Sequence, residues 1–450
     1  MQSTTLAVAI LGSILVLSLH SRYALAAYIG TLLWYPEYLR VSISTIDISV
    51  GRIVVTVLLL RYLCDKRIMG KFVWSRLDTW VALNMAVYVG MYCATHPFGA
   101  AVENQGGFVM DTWFAYMAAR LTMTDKRTLV YFIKTISIIL VPLAMLGVFE
   151  SITHWQPFYP SQRFSISQPL AGEMGDYRRW GFAQAVGPLG HFIMFGACFV
   201  MFLPLIWSLR REPGHWKQLA YPLSAMACIG AISSFASCSW VMLFTMIFCL
   251  VMERYRHWIR KMAILLLLLL MLTKLTSNRP LYHVLADYGN LTGGSWWDRV
   301  ALIDSAIADF GKWWLTGYGG KDPGWGAAVW AEHTDVNNQF ILIGVNCGIL
   351  GIIALCGVLL VAFRCLSDSY KKTNDHQLKS IYWALGSVLV STIVVWQGVS
   401  FFGQMPSIFY TVLGIIGSSV GFAKYVNPNG YRVVKTHNGP VLALQQIRTI

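Results

Sequence analysis

The sequence predicts an all-α polytopic membrane protein of 12–13 transmembrane helices, with one larger outward-facing helical loop. Three observations predict it. Of 450 residues, 56% are hydrophobic and only 12% are Asp, Glu, Lys or Arg, roughly half the charged share of a typical soluble domain. Apolar runs recur too often for one buried core, as in LAVAILGSILVLSL (6–19), AILLLLLLMLTKL (263–275) and GILGIIALCGVLLVAF (348–363). A bilayer span takes roughly 17–25 apolar residues, which such runs approach or supply. Soluble, fibrous and disulfide-scaffold classes are excluded, and so is an outer-membrane barrel, whose strands alternate polar and apolar.

In chain order, the apolar runs lie near 4–20, 23–39, 44–64, 76–95, 107–123, 128–150, 181–208, 218–236, 238–253, 260–276, 336–363, 379–401 and 405–423. The first two are short and poorly separated. The first also lacks a basic leader and a small-residue cleavage site, and reads as a retained span. Alternate connections carry the basic residues: Arg61, Lys66, Arg67, Lys71 and Arg76; Lys126 and Arg127; Arg210, Arg211 and Lys217; Arg254, Arg256, Arg260 and Lys261; Arg364, Lys371, Lys372 and Lys379. These mark the cytoplasmic side. The connections 96–106, 151–180, 277–335 and 402–404 then face outward, and the tail 424–450 is cytoplasmic. The whole chain reads as one integral membrane domain, with 277–335 as its large extracytoplasmic loop.

The formal charge of +14 falls in short clusters between apolar runs, not on one stripe, so it reads as Lys and Arg beside cytoplasmic span ends and not as a nucleic-acid surface. The nine cysteines lie in or beside apolar runs without CxxC spacing, and none falls in 277–335. No zinc or disulfide framework is indicated there, and no metal is expected.

Within 277–335, SWWDRVALIDSAIADFGKWW reads as one amphipathic helix. Ser295 and Asp298 match a capping box, and Val300, Ile303, Ile307, Phe310 and Trp314 recur at helical spacing. This helix is expected to lie on the interface or cap the bundle. GYGGKDPGWG (317–326) is a glycine-rich turn and not a phosphate loop, since no GK[ST] follows and no strand precedes it.

Candidate chemistry concentrates at the outward side. Arg52 lies inside the third span, with Asp47 and Asp111 near span ends. It either forms a structural ion pair or faces an anionic substrate, because a charge inside a bundle is costly. Arg163, Arg178, Arg179, Arg299 and Lys321 are outward cations; converging arginines grip a diphosphate through paired guanidinium donors, while a lone one snorkels to headgroups. In AEHTDVNNQFILIGVNCGILG (331–351), Glu332, His333, Asp335, Asn337 and Asn338 crowd the mouth of a long apolar helix. Such a cluster deprotonates a hydroxyl and holds sugar hydroxyls. Gly344, Gly348 and Gly351 read as small residues that let helices approach. Gln397, Ser400 and Gln404 add hydrogen-bonding groups at the same mouth.

Three stretches in order resemble the bacterial O-antigen ligase and polymerase-like membrane proteins. RRWGFAQAVGPLGHFIMFG (178–196) is similar to that family's Arg–x–x–Gly…Pro–x–x–x–Gly lead into a central span. WDRVALIDSAIADFGKWWLTGYGG (297–320) resembles its helix opening with an arginine and ending in a Gly–x–Gly turn. NNQFILIGVNCGILGIIAL (337–355) resembles its His–Asn–x–aromatic–Leu…Gly–x–x–Gly span. The resemblance implies a glycosyltransferase of the bacterial inner membrane, without metal or cofactor. It would move an undecaprenyl-diphosphate-linked glycan to a sugar hydroxyl, as a polymerase or as a ligase. Implied partners are the lipid-linked oligosaccharide donor, a glycan, lipid or protein acceptor, membrane lipids and polysaccharide-assembly proteins. Arg179, or its neighbour Arg178, and Arg299 map onto the diphosphate-binding arginines. Where the family has His–Asn this chain has Asn337–Asn338, and the nearest histidine is His333, one helical turn earlier. His333 or Asp335 then takes the catalytic role, or this member uses another mechanism or none. Asn337, Asn338 and Gln404 would hold sugar hydroxyls, with Arg52 a further substrate-binding candidate. A transporter or flippase of polar or lipid-linked sugars, which predicts repeats and helices broken at mid-bilayer, and a silent assembly scaffold are the competing classes.

Overall fold

The computed structural model describes residues 2–43, 46–70, 72–164, 178–284, 296–329 and 334–422, with two-residue strands at 435–436 and 439–440. The chain is mostly helical. Its elements are α1 (Gln2–Ser18), α2 (Ser21–Trp34), β1 (Arg40–Ile43), β2 (Ile46–Ser49), α3 (Val50–Leu63), α4 (Lys66–Met69), α5 (Arg76–Thr95), α6 (Phe98–Val109), α7 (Ala115–Thr122) and α8 (Lys126–Thr153). There follow β3 (Arg178–Arg179), β4 (Phe182–Ala183), α9 (Phe192–Ser208), α10 (Trp216–Ser233), α11 (Ser237–Met252) and α12 (Ile259–Thr276). Last come α13 (Trp296–Ala308), α14 (Phe310–Trp313), α15 (Gln339–Lys372), α16 (His376–Val395) and α17 (Met405–Phe422).

Among the described residues, four helices are long and apolar enough to cross a membrane: Lys126–Thr153, Phe192–Arg211, Gln339–Lys372 and His376–Val395. Gln2–Ser18, Ser237–Met252 and Met405–Ser419 are shorter apolar helices. Several expected runs are shortened for visible reasons. Residues 40–43 and 46–49 pair as the antiparallel strands β1 and β2, and of the run 44–64 the helix begins at Val50. The run 107–123 passes through a π-helical turn at Met110–Phe114, a distortion that re-aims side chains and is frequent at functional sites.

The central helix is α9, nearly every residue of which is buried; a helix apolar all round belongs inside a bundle. It packs against α8, α10, α11 and α16, while α15 lies on α5, α16 and α17. At one end of the bundle the basic connections are drawn together by ion pairs. Arg120 meets the buried Asp78 at 3.1 Å, Lys126 meets Asp375, Lys134 meets Glu212 at 2.6 Å, and Arg210 meets Glu253. The opposite end carries the β3–β4 hairpin, α13 and the 396–404 connection.

Two glycine-dependent features shape that second end. Gly348 interrupts α15 with φ 65° and ψ −165°. There the Ile349 N–H donates to the Trp314 carbonyl at 2.7 Å and the Tyr318 N–H to Val345 O. A Cβ on Gly348 would meet the Leu315 carbonyl oxygen at 2.3 Å. Gly348 thus opens the helix to a docking segment, a different role from the helix–helix approach expected for it; Gly344 does make close approach, against the Trp313 ring.

The amphipathic segment is also refined. It breaks at Asp309 into α13 and α14, and its buried positions are Val300, Leu302, Ala306 and Trp313. Ile307, Phe310 and Trp314 of the expected stripe are exposed. Leu302 and Ala306 win because they pack with Trp325 and Val345 in a separate small core. Ser295, the expected cap, and the tail 424–450, apart from its four strand residues, lie outside the described residues.

Candidate functional site

The β3–β4 hairpin pairs Arg179 with Phe182, leaving Trp180 and Gly181 as a two-residue turn with φ of 52° and 85°. Such a turn needs positive φ at both positions. Gly181 takes it freely, whereas a bulky residue such as Trp180 is held there against about 1–3 kcal/mol of strain. The loop after the hairpin is pinned from several sides. The fully buried Glu150 accepts the N–H groups of Val186 and Gly187 at 2.8 and 2.9 Å. Ala185 N–H donates to Ser233 O, and Gln184 Nε2 to Phe235 O at 2.8 Å. Successive strand residues face opposite sides, so the pair Arg178–Arg179 splits: Arg178 is exposed and Arg179 is partly buried.

Arg179 turns toward the first turn of α11, where Nη1 donates to Ser237 Oγ at 2.8 Å. Arg299, in the first turn of α13, reaches the same place. Its Nε donates to Gly398 O at 2.7 Å and its Nη2 to Cys238 Sγ at 3.7 Å, and its guanidinium lies over the Trp296 ring. Burial first, and the like charge of Arg299 with it, hold Arg179 below the usual guanidinium range, while Cys238 opposes the shift. The N-cap of α11 is Ala236, with no side-chain cap, so the positive end of the helix adds to the field. Two guanidiniums and a helix N-terminus on one spot form a setting suited to a polyanion.

Asp335 lies within electrostatic reach of Arg299. Water reaches Asp335, yet protein crowding raises its carboxyl above the usual aspartate range, against a hydrogen bond from Asn337 and the charge of Arg299, which both lower it. A carboxylate shifted this way is a better proton acceptor than an ordinary aspartate. His333 lies outside the described residues. Among the described residues no three His, Cys, Asp or Glu side chains gather in a metal-binding group, and the nine cysteines are free thiols.

The other sequence candidates are engaged elsewhere. Asn338 is the N-cap of α15: Oδ1 accepts from the Phe340 and Ile341 N–H groups at 3.0 and 3.1 Å, and Nδ2 donates to Gln397 O. Gln404, 2% exposed, spans Tyr35 O and Pro188 O at 3.4 and 3.3 Å. Both hold the frame of the site. Arg52 forms the ion pair that was one of its two expected fates. Nε donates to Asp111 Oδ2 at 3.0 Å and Nη2 to the same oxygen at 2.6 Å, with Glu37 at 3.8 Å. The π-turn presents Asp111, and Gly107 leaves room, since a Cβ there would sit 2.7 Å from the guanidinium carbon. Arg163 lies over its own neighbour Phe164, and Lys321 is exposed.

Sequence reasoning missed Ser237, Cys238 and Gly398, which position the two arginines, and the aromatic group around them. Trp180 meets Phe235 and Trp240, and Phe182 stacks on Phe235 at 5.1 Å. The available signal was SFASCSW (234–240), small polar residues bracketed by aromatics at a helix start. No family model matches the chain, and no curated protein matches it significantly.

Proposed function

We propose that this chain is a membrane-embedded, inverting glycosyltransferase of the O-antigen ligase and polymerase type. It would transfer a glycan from an undecaprenyl-diphosphate donor to an acceptor sugar hydroxyl on the outer face of the bacterial inner membrane. The observation that carries the reading is the convergence of Arg179 and Arg299 on the first turn of α11, with Asp335 within electrostatic reach of Arg299. Orientation is supported by the basic connections gathered at the opposite end, which the positive-inside rule assigns to the cytosol. The remaining apolar helices, including the shorter ones, then complete a multi-span bundle, with 277–335 on the outer side.

In this mechanism the acceptor oxygen attacks the anomeric carbon as the bond from that carbon to the phosphate oxygen breaks. The diphosphate departs with the bonding electrons, and Arg179, Arg299 and the α11 N-terminus stabilise the charge it gains. The hydroxyl proton passes to Asp335, or to His333 two residues earlier. Asn337, hydrogen-bonded to Asp335, orients the acid.

The test is transfer of labelled glycan from its lipid diphosphate by membranes carrying the full chain. Wild type transfers; Arg179→Ala and Arg299→Ala do not, at equal membrane abundance. Equal transfer by both variants would overturn the reading. In a deletion strain, surface glycan reduced to single units identifies a polymerase, and long polymer left on the carrier lipid identifies a ligase.

A further inference from the structure

Two large aromatic residues, Trp180 and Phe235, hold left-handed backbone with φ of 52° and 45°, and their rings touch, 6.4 Å between centroids. Trp240 lies 5.5 Å from Trp180 and 5.9 Å from Phe235. Strain in two residues that support one exposed surface points to a use for that surface, and Trp180 is 65% exposed. The platform borders the arginine pair directly: Arg179 precedes Trp180, and Ser237, which Arg179 bonds, follows Phe235 by two residues.

From Trp240 an apolar stripe continues down α11 through Phe244, Ile247, Phe248 and Val251, all four exposed and on one face by helical spacing. The other face of α11, with Cys238, Ser239, Met242, Leu243 and Met246, is buried in the bundle. The chain then turns into α12. None of its residues is buried, and it leaves the turn at 253–258 without packing along the length of α11. Beyond its far end, Tyr282 and His283 bond Asp304 of α13 at 2.6 and 3.0 Å, on the helix that carries Arg299.

We infer that this stripe is the seat of the donor's polyprenyl tail, which leaves the arginine pair over the Trp180–Phe235–Trp240 platform and runs down α11. The inference rests on the diphosphate reading above and adds the lipid's path. Continuity favours a polyprenyl chain over a partner helix or a second copy: a tail bonded to a diphosphate at Arg179 must begin at this platform.

The full chain in nanodiscs is photolabelled with a polyprenyl diphosphate carrying a diazirine in its tail. Label within 240–251, displaced by unlabelled polyprenyl diphosphate, is expected. Displaceable label elsewhere, or label at the stripe that the competitor does not displace, overturns the tail path. Phe244→Ala and Phe248→Ala provide the second measurement: KM rises about tenfold for a long-tailed donor and stays at the wild-type value for a ten-carbon donor. An equal rise for both donors also overturns it. Failure of the diphosphate reading is seen separately, as binding of both donors that is indifferent to Arg299→Ala.

Discussion

Arg52 and Arg299 are the same residue used in opposite ways. Arg52 is clamped by a carboxylate on a neighbouring helix, both guanidinium and carboxylate largely shielded, with Glu37 behind it. Its charge is balanced, and it serves helix register. Arg299 is steered by a carbonyl and a thiol and stands beside a second guanidinium. The two arginines thus differ in what is seen to hold them: a carboxylate in direct contact for Arg52, a carbonyl and a thiol for Arg299, with Asp335 at longer electrostatic range.

That contrast can be broken by substitution. Arg52→Ala strands the Asp111 carboxylate, and removing one partner of a buried pair costs about 3–5 kcal/mol. The expected result is a sharp drop in folded yield and thermal midpoint in detergent. Arg299→Ala should instead leave the midpoint nearly unchanged while lowering transfer by about 10²–10³-fold, the usual cost of one charge-stabilising donor. Similar midpoints for both variants would erase the distinction. Gly348→Ala forces a side chain into left-handed backbone and against the Leu315 carbonyl, costing about 1–3 kcal/mol in a denaturation series.

The pH profile sharpens the comparison. Transfer should fall as pH drops through the Asp335 pKa, which lies above that of an ordinary aspartate because desolvation by the surrounding protein disfavours the anion. Asn337→Ala removes a hydrogen bond that stabilises the anion, so the acid limb should move to higher pH. A limb that moves down would separate Asn337 from the acid. The smallest effect is Asn338→Ala, a lost helix cap worth about 1 kcal/mol, seen in the midpoint with transfer chemistry intact.

Helical class and the alternation of basic connections were legible because both depend on composition and periodicity. Arg179 and Arg299 were legible as cations beside aromatic and glycine-rich turns. What escaped were features set by distant backbone. Asn338 and Gln404 look like sugar-binding amides in sequence, yet each meets carbonyls from segments far along the chain. Ser237 and Gly398 carry no charge to draw notice. The buried face of α13 was misjudged because its partners, Trp325 and Val345, come from loops and from a helix that local periodicity does not register.

The interruption at Gly348 has a consequence for how such a protein diversifies. Above it, Gln339 and Asn338 are laced to the 396–401 segment; below it, α15 lies along α5. The rim can be rewritten by mutation while the trunk beneath keeps its packing undisturbed.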